Sequence, residues 1–192
     1  MISLKKIIIV GFGGHGKSIA DIIKRTGNYE IVGYTDITEQ NSTYKYLGTD
    51  SVLDEYYNRG IKYIAVGIGY LGKGNIREVI YKKIKDIGFE LPVIADPSAI
   101  VSGDVIIEEG TIIGKGAIIN TEARIGKMCI INTRAIIEHE CTVGDFCHIS
   151  VDSVLCGQVE VKDRAFVGAN SVVIQCKQVK EGQIVPAGST VR

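Results

Sequence analysis

The chain has 192 residues, enough to bury a core in one domain or in two small ones. Lysine plus arginine number 22 and aspartate plus glutamate 22, a balance that excludes a basic nucleic-acid or membrane-surface binder as the expected partner class. No apolar run approaches the ~20 residues of a membrane helix, and Ile7–Val10 is too short for a signal-peptide core. The five cysteines lack CxxC or CxxH spacing, so reduced thiols and a cytoplasmic protein are expected.

In chain order, residues 5 to 10 (KKIIIV) read as a buried parallel strand. A glycine-rich turn follows, then a helix from about Gly14 to Thr26 with Ile19, Ile22 and Ile23 on one face. Residues 30 to 35 read as a second strand ending at Asp36, and residues 62 to 66 as a third. A second helix runs from about Asn75 to Asp86, with Ile76, Val79, Ile80, Ile84 and Ile87 at helical spacing. Alternating strands and helices predict a Rossmann-like parallel sheet with a ligand crevice at the strand C-termini. Pro92 and Pro97 mark the passage to a different pattern, which places domains at 1–95 and 96–192.

The turn Gly11–Ser18 (GFGGHGKS) satisfies two motifs at once. One is the dinucleotide fingerprint G-x-G-x-x-G, with Asp36 where a ribose-binding acid belongs; the other is the NTPase phosphate loop G-x-x-x-x-G-K-[ST]. Neither full assignment fits its context. KYIAVGIG carries no acid to hold Mg²⁺, and no second βαβ half follows for a dehydrogenase. Two readings stay open: a turn that packs helix on sheet, or a site where Gly13, Gly14 and His15 receive the diphosphate of a ligand.

From Val101 the sequence repeats every six residues. Stepping by six to Val191 meets only valine, isoleucine or leucine, and the position two before is usually small (Ala117, Ala123, Cys129, Ala135, Cys141, Cys147). This pattern predicts short strands joined by tight corners, three hexapeptides to a triangular coil and about five coils. Residues eighteen apart then share a face. Two outer faces are apolar, one holding Ile100, Ile118, Ile136, Val154 and Val172, the other Ile112, Ile130, His148, Phe166 and Ile184. The third, with Arg124 and Glu160, is polar. Two apolar stripes predict a homotrimer that covers both.

Two of three histidines lie in the coil, His139 and His148. Glu140 follows His139 directly, and a carboxylate beside an imidazole favours a general base, whereas a plain surface histidine is the alternative. His148 is read as a donor to a thioester carbonyl or pantetheine arm, or as a trimer contact. A metal site competes weakly, because the coil offers no third histidine. Cys141 occupies the small inward position, which favours packing over an acyl-cysteine role.

The G-x-G-G-H-G turn, Asp36, the IAVG strand end at Gly67 and the segment INTRAIIEHECTVGDFCHIS together resemble the bacterial hexapeptide-repeat sugar acetyltransferases of the PglD/NeuD-like type. That resemblance implies a left-handed parallel β-helix after the α/β domain. It implies an acetyl-CoA-dependent N-acetyltransferase, without metal, acting on a UDP-4-amino-4,6-dideoxy sugar in glycan biosynthesis. O-acetylation of sialic acid or a related hydroxyl is the alternative, and a non-catalytic sugar-nucleotide-binding coil a third class. By the same resemblance, His139 is the base, Glu140 its partner and Asn132 lies nearby. His148, Gly157, Ala169 and Ala187 line an acetyl-CoA groove, where relatives often carry glycine in place of Ala187. Gly13, Gly14, His15, Asp36 and Gly67 hold the nucleotide sugar, in a pocket that the long segment Ile68–Gly74 reshapes.

Overall fold

The computed structural model describes residues 4–192, which divide into two compact units. The first comprises residues up to Gly69 together with Asn75–Ile94; the second comprises Tyr70–Gly74 and Ala95–Arg192. Most of the long segment Ile68–Gly74 therefore groups with the coil.

In the first unit, β1 (Lys5–Val10), β2 (Tyr29–Thr35), β3 (Tyr46–Gly48) and β4 (Tyr63–Val66) form a parallel sheet in the order β3-β2-β1-β4. The order reverses direction between β1 and β4, so the crevice lies at their C-terminal ends. Helix α1 (Gly14–Thr26) buries Ile19, Ile22 and Ile23, as its periodicity predicts, and ends at Gly27 in the left-handed region. The short α2 (Leu53–Asn58) and the three-residue β3 carry too few apolar positions to stand out in the sequence. Helix α3 (Ile76–Ile87) buries Ile80 and Ile84 but leaves Ile76 and Val79 half exposed, so its apolar face is narrower than the spacing suggests.

Three glycines bring β1, α1 and the end of β4 into backbone contact. A Cβ on Gly16 would strike the Gly11 carbonyl oxygen, and one on Gly67 would strike that same oxygen and sit 2.7 Å from the Gly16 Cα. Gly13 and Gly14 differ, with open space where a Cβ would stand.

The second unit is a left-handed parallel β-helix of about five turns. Its two-residue rungs stack eighteen residues apart into sheets of five, six and six strands, as in Arg124–Ile125 on Thr142–Val143. The aliphatic column is buried from Ile113 to Val185, with Ile131, Ile149 and Val167 among its members, and opens at its two ends, where Val101 is 37% exposed. Small inward residues close the ladder through hydroxyl or thiol donors fifteen residues from their acceptors. Thr111 donates to the Gly126 carbonyl (2.8 Å), Cys129 to Gly144 (3.0 Å), Cys141 to Cys156 (3.1 Å) and Cys147 to Lys162 (3.0 Å). These thiols are satisfied core donors. Burial pushes the Cys141 thiol up, away from nucleophilic use.

The corners hold a surprise for a glycine-rich chain. Ten consecutive corners, from Glu122 to Cys176 in steps of six, place non-glycine residues at φ of 55–60°. Each bears a conformational cost of order 1 kcal/mol, so the stacked coils must over-determine the backbone there.

One expectation about the outer faces is corrected. The stripe containing Ile112, Ile130 and His148 is open to solvent only towards its end: these residues are 3%, 1% and 7% exposed, whereas Ile184 is 41% exposed. The Tyr70–Gly74 segment lies on its later part. Tyr70 Oη donates to the Arg164 carbonyl (2.7 Å), and a Cβ on Gly72 would stand 2.6 Å from Ile184 and 3.1 Å from Phe166. The other apolar stripe remains accessible, with Ile100 at 65%.

The glycine contacts predict a clean contrast in thermal melting. Gly16→Ala should lose roughly 1–3 kcal/mol through overpacking. Gly13→Ala, at φ −68° with room around it, should stay within about 0.5 kcal/mol of wild type. Equal losses would show that the packing contacts do not govern this turn.

Candidate functional site

His139 and Glu140 form one corner of the coil, with Glu140 in the left-handed conformation at φ 59°. That geometry turns its carboxylate back to the preceding ring, where Oε2 accepts from His139 Nδ1 at 2.9 Å. The ring is about half exposed. Donation from Nδ1 leaves the lone pair on Nε2, the arrangement a proton acceptor requires.

The next coil supports this corner from eighteen residues on. A Cβ at Gly157 would lie 2.6 Å from His139 Nε2 and 2.7 Å from Cε1. Glycine is therefore the residue that lets the imidazole lie over the following corner. Gln158 Nε2 donates to Glu140 Oε2 at 3.1 Å. The His139 hydrogen bond first, and Gln158 second, hold the Glu140 carboxyl below the ordinary carboxylate range. Its contribution is thus present above that range and is lost as pH falls through the lowered value, so Glu140 stays ionised at neutral pH. Beside the corner runs an open groove of about 330 Å³, lined by Asp104, Ile106, Glu122, Arg124, Glu140 and Thr142.

The remaining coil residues singled out in the sequence do not gather at this corner. His148 is buried, and its ring nitrogens are engaged within the chain. Nδ1–H donates to the Tyr70 carbonyl (2.6 Å), which leaves Nε2 to accept from Asn132 Nδ2 (3.0 Å). A second donor-bearing nitrogen would face the Asn132 amide, so the neutral tautomer fits. Asn132 thus pairs with His148 and, through Oδ1, with the Thr133 amide. Ala169 and Ala187 stack at a different corner, where Gly188 N–H donates to the Ala169 carbonyl (2.8 Å). Gly168, unremarked in the sequence, is needed there: a Cβ would sit 2.5 Å from the Ala187 nitrogen.

In the first unit, α1 begins at Gly13 with no side-chain cap and no acid in its first turn, and Gly13 and Gly14 are exposed. Uncapped amides at a helix N-terminus make an anion site. His15 is the second residue of this helix. Asp36 accepts from the Phe12 amide through Oδ2 (2.8 Å) and from the Ile37 amide through Oδ1 (2.7 Å), so it braces the turn from β2. Phe12 in turn stacks on Tyr34, with centroids 4.2 Å apart. Gly67 is buried and belongs to the packing set, not to the exposed pair. The sequence missed Phe12 and Gln158, whose roles depend on partners in other elements.

Among the described residues, no helix is long and apolar enough to cross a membrane, and no three His, Cys, Asp or Glu side chains are placed to hold a metal ion.

A parallel sheet with an uncapped glycine turn, followed by a left-handed hexapeptide coil with a His–Glu corner, defines the class of left-handed β-helix acyltransferases. Residues 6–84 match the PglD N-terminal domain family. PerB from Caulobacter crescentus, solved with CoA and GDP-perosamine, is 32% identical with a TM-score of 0.92, covering 100% of this chain and 90% of that one. A histidine-to-alanine mutant of GDP-perosamine N-acetyl transferase from the same organism, again with CoA and GDP-perosamine, gives 31% and 0.91 over the same shares. The acetyltransferase domain of PglB from Neisseria gonorrhoeae gives 29% and 0.90, over 98% of this chain and 91% of that one. The chain belongs to the PglD/NeuD-like sugar acetyltransferase family.

Gly157→Ala tests the clearance under the imidazole. The added methyl should displace the ring and lower turnover about 10-fold or more, with circular dichroism unchanged. Wild-type turnover would show that the ring does not work from this position.

Proposed function

We propose that the protein transfers the acetyl group of acetyl-CoA to the amine of a nucleotide-activated 4-amino-4,6-dideoxy sugar, with His139 as general base. The observation that carries this reading is the His139–Glu140 corner, whose proton-accepting Nε2 lies over the side-chain-free Gly157. His139 Nε2 takes a proton from the attacking amine as the C–N bond forms. Glu140 stabilises the imidazolium that results, and the C–S bond breaks to release CoA as its thiol. The half-exposed ring of His139 and the groove beside Glu140 supply room for a thioester and an acceptor.

The exposed amides of Gly13 and Gly14 at the start of α1 suit the sugar nucleotide's diphosphate, with His15 beside them. A uridine nucleotide is the leading choice. PerB's complex with GDP-perosamine makes the GDP-linked sugar the second candidate. O-acetylation of sialic acid would use the same base on a hydroxyl, but leaves the glycine turn without a diphosphate to hold.

Free-thiol release from acetyl-CoA separates these readings. UDP- and GDP-linked 4-amino sugars are compared with free sialic acid, and His139→Ala serves as control. A sugar nucleotide should turn over and sialic acid should not; the reverse result moves the reaction to O-acetylation. His139→Ala should cost about 10²–10⁴-fold, and near-full turnover would remove the base assignment. Glu140→Gln should lower kcat about 10-fold, because the imidazolium that forms during transfer loses its anionic partner and Nδ1 loses the carboxylate that holds the ring; wild-type kcat would remove that role.

A homotrimer completes the reading. Ile100, Ile118, Ile136, Val154 and Val172 form one continuous aliphatic stripe, and Ile136 lies on the rung leading into the His139 corner. A neighbouring copy on that stripe would wall the site, joining the Gly157 corner of one protomer to the Ala169/Ala187 corner of the next. Sedimentation at micromolar concentration should show a trimer, and Ile136→Asp should lower the oligomeric state; a wild-type monomer excludes this assembly.

A further inference from the structure

We infer that Gln158 is a positioning residue for the acetyl-transfer base, acting through Glu140; this rests on the His139 reading above. Residues 122, 140, 158 and 176 occupy successive coils of one corner column, all in the left-handed conformation. The column carries Glu122 and Glu140, then changes to an amide at Gln158 and a thiol at Cys176. That amide is fixed at both ends. Its Nε2 donates to Glu140 Oε2 at 3.1 Å, and its Oε1 accepts from Cys176 Sγ at 3.3 Å. The thiol can donate there, so the bond sets which end of the amide is carbonyl and which is NH₂.

The oxygen that Gln158 grips is the same Oε2 that accepts from His139 Nδ1. A carboxylate on an exposed corner would otherwise rotate freely about its terminal torsion. Two donors converging on one oxygen select one rotamer, and that rotamer keeps the imidazole in the tautomer with Nε2 unprotonated. The chemistry at position 158 is narrow. Leucine has the bulk without the donor. Glutamate would set a second anion against Glu140 and weaken its hold on the ring.

Three variants test this by steady-state kinetics with a turned-over amino-sugar nucleotide, alongside His139→Ala. Gln158→Leu should lower kcat about 5-fold while KM for acetyl-CoA stays within about 2-fold. Added to Glu140→Gln, it should cost almost nothing more, because its effect passes through the missing carboxylate. Gln158→Glu should be most impaired at high pH. Its activity relative to wild type should rise as pH falls, since one carboxyl of the pair then protonates and becomes the lost donor. A merely structural corner would give a pH-independent defect and additive losses. If His139→Ala is inactive while Gln158→Leu keeps wild-type kcat and pH profile, or adds fully to Glu140→Gln, the positioning role is refuted and the base survives. If His139→Ala turns over normally, the base reading itself falls, and this inference with it.

Discussion

Inter-coil hydrogen bonding fixes what each corner of the second unit can do. The Ile130 amide reaches the Cys147 carbonyl and the Asn132 amide reaches Ile149, and the same pattern recurs along the coil. Stacked coils therefore cannot slide, and every residue has its nearest outer neighbours eighteen positions away. Under that constraint a side chain's chemistry is set by a residue remote in sequence but fixed in space. The imidazole of His139 has its place because position 157 has no side chain. The same rule runs along another corner, where Lys127 N–H donates to Asp145 and Asp145 N–H donates to Asp163. Carboxylates there serve the backbone of the preceding coil.

Inside the coil, the ladder also explains why cysteine is so frequent. At a small inward position a thiol fills slightly more volume than alanine and still finds a carbonyl fifteen residues on, so Cys129, Cys141 and Cys147 leave no unsatisfied buried donor. Outside, each corner must bend the chain from one sheet to the next within a few residues, and most do so without glycine. Local preference yields to stacking. The reward is a side chain where glycine would offer none, and Glu140 and Gln158 are two of them.

Much of the fold was legible because its signals are local or strictly periodic. The aliphatic step of six named the coil, and helix α1 appeared with its observed bounds from isoleucine spacing and the flanking glycines. The three-residue β3 and the short α2 were invisible for want of a repeating apolar pattern. At the site, the His139–Glu140 pair was readable because its members are adjacent in the chain. Gln158 was not, since nothing in a linear motif marks a donor one coil away. The setting of His148 was hidden for the same reason: its partner at Nδ1 is the carbonyl of Tyr70, in a segment seventy-eight residues earlier. The glycine turn was half readable. Spacing identified it, but only the contacts separate Gly11, Gly16 and Gly67, which pack, from Gly13 and Gly14, which stand open.

The coil thus keeps two different clocks. Its aliphatic column recurs every six residues, so the loss of one hexapeptide leaves a core that still closes. Its corners recur every eighteen, so the same loss between Glu140 and Gly157 would slide Asp163 beneath His139 and Arg164 beneath Glu140. Folding tolerates that change of phase and chemistry does not. Chain length within this stretch is therefore governed by the site, while the identity of individual core residues is governed by size, apolarity and the satisfaction of buried donors.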